Sequence, residues 1–155
     1  MKVITYLKGD ATTPQVKGNK IIVHICNDIG GWGKGFVVAI SKRWALPEKA
    51  FREWHKSKNN FELGQVQFVK VEDDLWVANL IGQHKIRKDE NGNPPIRYEA
   101  VVEGMKVVNE QAKALKASVH MPRIGCGLAG GKWEEIEPII NETLTKSDVY
   151  VYDFG

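Results

Sequence analysis

Two cysteines, Cys26 and Cys126, are all that 155 residues contain, too few for a disulfide framework and without partner ligands at metal spacing. Both are expected as reduced, buried thiols, and neither a metal nor a cofactor is expected. Long apolar runs are also missing. None approaches the roughly 20 residues that cross a bilayer, and the apolar part of the opening MKVITYLKGD is too short for the core of a signal peptide. A cytoplasmic location with no membrane partner is the expectation. Charge of one sign is scarce too: 22 basic residues against 19 acidic ones leave a formal net charge of +3, spread along the chain with no basic block. That balance permits nucleic acid as a partner without indicating it. Internal repeats and low-complexity segments are absent.

What is present is a 43% hydrophobic content distributed with alternating periods. A chain of this size buries roughly 70% of the surface its unfolded form exposes, so residues 1–155 are expected to form a single domain. Strand-like apolar runs occupy residues 3–7, 20–26, 65–71, 75–81, 118–124 and 149–154, the second of them reading KIIVHIC like a strand buried on both faces. Helical spacing links Phe36, Val37, Ala39, Ile40 and Trp44. Pro47 opens a further helix carrying Phe51 and Trp54. Tyr98, Val101, Val102, Met105, Val108, Ala112 and Leu115 form a strong amphipathic stripe, and a last helix is expected over 132–144. Between Gly82 and Pro95 the sequence is polar and rich in turn formers, a surface loop with a turn at Asn91-Gly92. Strands alternating with helices imply an α/β fold with a largely parallel sheet covered on both faces, in which ligands bind outside the carboxyl ends of the strands.

Two glycine-rich turns lie at such ends: HICNDIGGWGKGF at 24–36 and MPRIGCGLAGGKW at 121–133. Each follows an apolar run and precedes a helix start, so backbone N–H groups should converge where glycine lets a ligand approach. Tight-turn chemistry alone is the competing reading. The first loop is not a P-loop, because Gly33-Lys34 is followed by Gly35 where that motif needs a magnesium-binding Ser or Thr. It also lacks the spacing and the later acidic residue of a dinucleotide fingerprint.

Gly9-Asp10-Ala11-Thr12, IVHICNDIGGWGKGF and PRIGCGLAGG, in this order over essentially the whole chain, resemble the macrodomain family of ADP-ribose-binding modules. The IGCGL segment is most similar to the branch containing the terminal ADP-ribose glycohydrolase. The resemblance implies a three-layer α/β/α sandwich with a mixed, mostly parallel sheet of about six strands. It also implies ADP-ribose or a derivative as ligand. Gly9, Asp10 and Ala11 would lie at the adenine, with the Asp10 carboxylate accepting from the adenine amino group and Phe154 against the adenine face. By their own chemistry Asp10 reads equally as a turn cap and Phe154 as a core aromatic. Gly31, Gly33, Lys34, Gly35 and Phe36 from one loop, and Gly125, Cys126, Gly127, Leu128 and Ala129 from the other, would present N–H groups to the diphosphate.

For chemistry, the resemblance places Asn27 at the distal ribose, where an amide that donates and accepts suits a diol. Asp28 reads as a loop cap or a general base, and Asn27, Asp28 and His84 are the candidate catalytic residues around a water nucleophile. His24 reads as a core histidine, and Cys126 as a phosphate-loop residue with no adjacent histidine to activate it. The glycohydrolase uses a lysine and an aspartate where this chain has Gln83 and Ala129, neither of which can form or resolve a covalent adduct. The expected function is hydrolysis of an ADP-ribose conjugate: ADP-ribose 1″-phosphate, an O-acyl ester, or an ADP-ribosylated macromolecule. A non-catalytic ADP-ribose reader is the alternative, and nucleic-acid contact through Lys85, Arg87, Lys88 and Arg97 a third reading.

Overall fold

In a computed structural model that describes residues 4–154, the alternating periods of the sequence are realised as six strands and four helices. In chain order these are β1 (Thr5–Lys8), β2 (Lys20–Asn27), α1 (Phe36–Arg43), α2 (Leu46–Ser57), β3 (Val66–Glu72), β4 (Leu75–Gln83), α3 (Tyr98–Leu115), β5 (Ser118–Pro122), α4 (Trp133–Thr143) and β6 (Val149–Asp153). Val3, expected in the first strand, lies outside the described residues. The strands form one sheet in the order β1-β6-β5-β2-β4-β3, parallel at every pairing except the antiparallel β3–β4 hairpin. Glu72, Asp73 and Asp74 lie at or beside the turn of that hairpin.

Periodicity explains the layering. The β2 run is buried at seven of its eight positions, so both its faces must be covered. On one face Val77 and Ile81 of β4 pack with Val37 and Ile40 of α1 and Phe51 of α2. On the other, Val23 and Met121 pack with Val101, Met105 and Val108 of α3 and Ile136 and Ile140 of α4. Phe51, with no exposed surface, anchors the smaller layer, and burying such a side chain is worth about 1.5–3 kcal/mol. The result is a three-layer α/β/α sandwich.

Winding direction positions the site. From β2 the chain proceeds towards β4 and β3, whereas from β5 it proceeds to β6 on the opposite side. Because β2 and β5 are neighbours, their carboxyl ends flank a topological switch point, where open α/β sheets hold ligands. Both glycine loops leave from this point. A register shift between Cys26 and Asn27 pairs Cys26 with Ile81 but Asn27 with Gln83, skipping Gly82, and such a bulge re-aims the residues at the strand end.

Two strand limits differ from the sequence reading. β5 ends at Pro122 rather than 124 because the chain already turns there, Cys126 N–H donating to the Arg123 carbonyl. β6 ends at Asp153. Phe154 beyond it is 86% exposed, so its reading as a core aromatic is wrong.

Candidate functional site

A cleft of about 570 Å³ opens between the two glycine loops. Its walls include Gly31, Gly33, Lys34, Gly35 and Phe36 from the first loop and Gly125, Gly127, Leu128 and Ala129 from the second, with His24, Cys26 and Asn27 of β2 also lining it. The two loops expected to face each other therefore do so.

The first loop is shaped by Asn27. Its Oδ1 accepts from the N–H groups of Ile29 (3.1 Å) and Gly31 (2.8 Å), and its Nδ2 donates to the Gly31 carbonyl (3.0 Å). An amide oxygen with two donors has both lone pairs engaged. Asn27 therefore offers a ligand one remaining Nδ2 hydrogen and no acceptor, which narrows the diol role given to it from sequence. Gly35, at φ 84°, turns the chain into α1, whose N-terminus has no side-chain cap. Among the described residues no acceptor takes the N–H groups of Gly33, Lys34, Gly35 or Phe36. Gly35 and Phe36 are orphan donors of the α1 start, an end that favours an anion, and Gly33 and Lys34 precede them along the cleft wall.

The second loop closes on itself and leaves a similar row. Gly131 N–H donates to the Gly125 carbonyl (2.6 Å) and Gly130 N–H to the Gly127 carbonyl (3.0 Å). Among the described residues the N–H groups of Gly127, Leu128 and Ala129 have no acceptor. A Cβ on Gly33 or on Gly127 would meet nothing within 4 Å, and neither residue has a positive φ. Packing and backbone conformation thus do not require glycine at these two positions, and an object occupying the cleft would. Leu128, 65% exposed, brings its Cδ1 to 3.5 Å from where a Gly35 Cβ would stand, so the loops touch across the cleft.

Asp28 and His84 come together at its edge. His84 Nδ1 lies 2.6 Å from Asp28 Oδ2, and Asp28 Oδ1 accepts the Lys85 N–H at 2.7 Å. That second bond helps hold Lys85 at φ 59°, and Gln83 Nε2 donates to the Lys85 carbonyl (2.9 Å). His84 lines a second hollow of about 540 Å³ with Lys85, Lys88, Asp89 and Arg97, which shares Ile86 and Arg87 with the first. The 82–95 loop is thereby tied to the site. Its turn runs from Asp89 to Gly92, with Gly92 N–H donating to the Asp89 carbonyl.

Other expected residues are placed differently. Asp10 Oδ1 accepts from Thr12 N–H (2.8 Å) and Thr12 Oγ1–H (2.7 Å), the turn-capping behaviour of a short carboxylate. Gly9 N–H donates to the Asp153 carbonyl (3.0 Å), and Ala11 is buried. Neither these residues nor Phe154 lines the cleft. Cys126, expected as a buried thiol, is only half-buried and lies outside the lining; its thiol donates to the Ile124 carbonyl (3.4 Å), and partial burial raises its pKa. His24 Nε2 donates to Asn79 Oδ1 (2.5 Å), and burial pushes its ring down to about 4, so it is a neutral residue of the cleft floor.

Arg123 lines the cleft and escaped the sequence reading. Its Nε and Nη2 donate to the two Asp153 oxygens (2.6 and 3.1 Å), and its guanidinium stands 5.2 Å from the Tyr6 ring centre and 5.1 Å from that of Trp133. The available signal was a lone cation between a strand end and a glycine loop. Among the described residues no cluster of His, Cys, Asp and Glu could hold a metal ion, and no helix is long and apolar enough to cross a membrane.

No family model matches the chain. It is 34% identical over 163 residues to the mouse chromodomain-helicase-DNA-binding protein 1-like, an alignment covering 97% of this chain but only 18% of that protein, so it spans less than a fifth of that relative's length. It is 26% identical over 162 residues to an ADP-ribose 1″-phosphate phosphatase of Lodderomyces elongisporus, covering 96% of this chain and 97% of that one. A solved structure of a macrodomain protein from Streptomyces coelicolor is 53% identical and superposes with a TM-score of 0.88 over 99% of this chain and all of the other. With that identity over the whole of both chains and the same sheet between its helices, the chain belongs to the macrodomain family.

Proposed function

We propose that the cleft binds ADP-ribose or a derivative, with the diphosphate between the two glycine loops. The observation that carries this reading is the pair of facing N–H rows, at Gly33–Phe36 and Gly127–Ala129, without acceptors among the described residues and beside two glycines whose Cβ positions are empty. Diphosphate oxygens would accept those N–H groups, with the α1 N-terminus adding about 0.3–1 kcal/mol per anion. Asp10 keeps one carboxylate oxygen without a donor among the described residues, which suits an exocyclic amino group, and exposed Phe154 is free to cover an adenine face. The relative named as an ADP-ribose 1″-phosphate phosphatase favours the same ligand class.

The chemistry we infer is hydrolysis of an ADP-ribose conjugate. Nδ1–H of a neutral His84 donating to Asp28 leaves Nε2 with a lone pair, the arrangement of an oriented general base, able to take a proton from water attacking the distal ribose or its substituent. Asp28 has both oxygens engaged, so it serves as orienter and His84 as base. Asn27 shapes the loop and offers its single free N–H. Gln83 and Ala129 both line the cleft, so a lysine adduct has no support at these positions. The reader alternative rests on that same lack and on the exposed position of His84, whose side chain is 43% exposed.

Calorimetry with ADP-ribose tests the binding. Incubation with ADP-ribose 1″-phosphate, O-acetyl-ADP-ribose and ADP-ribosylated protein or oligonucleotide, followed by mass spectrometry, tests the chemistry. Binding with every conjugate intact would leave the reader, and turnover abolished in His84→Ala would support the hydrolase.

A further inference from the structure

The first glycine loop is held from behind by a closed ring of hydrogen bonds. Trp32 Nε1 donates to Ser41 Oγ (2.8 Å), Ser41 Oγ donates to Glu48 Oε1 (3.2 Å), Arg52 Nε donates to Glu48 Oε2 (2.9 Å), and Arg52 Nη2 returns to the Trp32 carbonyl (3.2 Å). A branch from Arg52 Nη1 reaches the Gly30 carbonyl (3.4 Å). The ring links the loop to α1 through Ser41 and to α2 through Glu48 and Arg52. The Trp32 indole within it is buried and stands edge-on to His24, with ring centres 5.3 Å apart.

Peptide planarity turns this anchoring into an aiming device. A carbonyl and the N–H of the next residue belong to one planar trans unit and point in opposite directions. With the Trp32 carbonyl drawn back towards Arg52, the Gly33 N–H is turned away from α2 and towards the cleft that Gly33 lines. With the Gly30 carbonyl likewise held, the Gly31 N–H meets Asn27 Oδ1. Arg52 itself is not part of the cleft lining, and its charge faces the Glu48 carboxylate.

We propose that Arg52 is a positioning residue for anion capture: its fork to Gly30, Trp32 and Glu48 aims the Gly33 N–H at the ligand diphosphate. This rests on the diphosphate reading above. A lysine keeps the positive charge but cannot span a carboxylate and two carbonyls with a rigid fork, so Arg52→Lys separates aim from attraction.

The experiment compares wild type, Arg52→Lys, Arg52→Ala and Ser41→Ala. ADP-ribose affinity is read by calorimetry, adenosine affinity by ligand-observed NMR, and loop order by amide hydrogen exchange at Ile29 and Gly31 in the free protein. The expected result is an ADP-ribose affinity about tenfold weaker in both Arg52 variants, the size of one misaligned hydrogen bond to a charged group. A smaller loss is expected in Ser41→Ala, with unchanged adenosine affinity and, in the Arg52 variants, faster exchange at Ile29 and Gly31, whose N–H groups Asn27 Oδ1 holds in the folded loop. Wild-type ADP-ribose affinity in Arg52→Lys would overturn the proposal, as would a parallel loss for adenosine or unaltered exchange. If wild type binds no ADP-ribose, the diphosphate reading fails by itself, and the exchange measurement alone decides whether Arg52 orders the loop.

Discussion

His84 Nδ1 stands 2.6 Å from Asp28 Oδ2, joining the residue after β4 to the residue after β2 across 56 positions of sequence. The same carboxylate takes the Lys85 N–H through its other oxygen, so one side chain fixes both the imidazole and the backbone that follows it. Asp28→Asn should leave ADP-ribose binding nearly intact and slow conjugate hydrolysis, because the amide no longer holds the ring in one tautomer. His84→Ala should lower kcat by about 10²–10⁴, the usual worth of a general base. Single-turnover assays beside calorimetry separate the two effects.

Gly127→Val and Gly33→Val should leave stability within about 0.5 kcal/mol of wild type, since a Cβ at either position meets nothing. ADP-ribose binding should nonetheless be lost in both. Gly125→Ala should behave oppositely, costing about 1–3 kcal/mol in urea denaturation, because Gly125 has φ 71° and its Cβ would fall 2.8 Å from Ile96 Cδ1.

Asp10→Ala should weaken ADP-ribose by about 1.5–3 kcal/mol, the value of a hydrogen bond to a charged group. Adenosine should lose a similar amount, and unchanged affinity for both would remove Asp10 from the site.

Two buried histidines set an acid limit on the fold. Burial holds His24 down to about 4, and burial with the nearby Lys20 charge does the same to His120, which lies between Ser118 Oγ (2.8 Å) and Tyr152 OH (2.7 Å). The unfolded rings take protons near the ordinary value of about 6.5, so the unfolded state binds more protons between there and 4. Stability is then fully present above about 6.5 and falls with pH, by about 3 kcal/mol per histidine when the window has been crossed. Urea midpoints from pH 7.5 to 4.5 should decline accordingly, and NMR should find both rings neutral at pH 5.5. A ring titrating near 6.5 in the folded protein would contradict this.

Cys126→Ala should retain hydrolysis, because its thiol donates to the Ile124 carbonyl and burial raises its pKa. Loss of turnover with binding intact would restore a nucleophilic role.

Much of the frame was legible because periodicity reports burial: KIIVHIC is a strand covered on both faces, and the stripe from Tyr98 to Leu115 is α3 over the same limits. Alternation with helices put both glycine loops at carboxyl ends of strands, whereas the β2–β5 pairing that brings them face to face is a property of the fold that alternation does not give. What sequence could not supply was where polar side chains spend their hydrogen bonds. Asn27 reads as a ribose ligand until its oxygen is found engaged by Ile29 and Gly31. Arg52 and Arg123 belong to no sequence pattern that assigns them a role, and the Trp32 carbonyl and Asp153 carboxylate that bind them are visible only in the fold. Phe154 reads equally as an adenine-face residue and as a core aromatic, and its exposure beyond the end of β6 at Asp153 removes the second.

Titration of the chain with ADP-ribose in a calorimeter, beside Gly127→Val at matched melting temperature, tests the diphosphate cleft most directly. Saturable one-to-one binding by wild type and none by the variant is the expected result. Equal binding by both, or no heat and no ligand-induced rise in melting temperature for wild type, would contradict it.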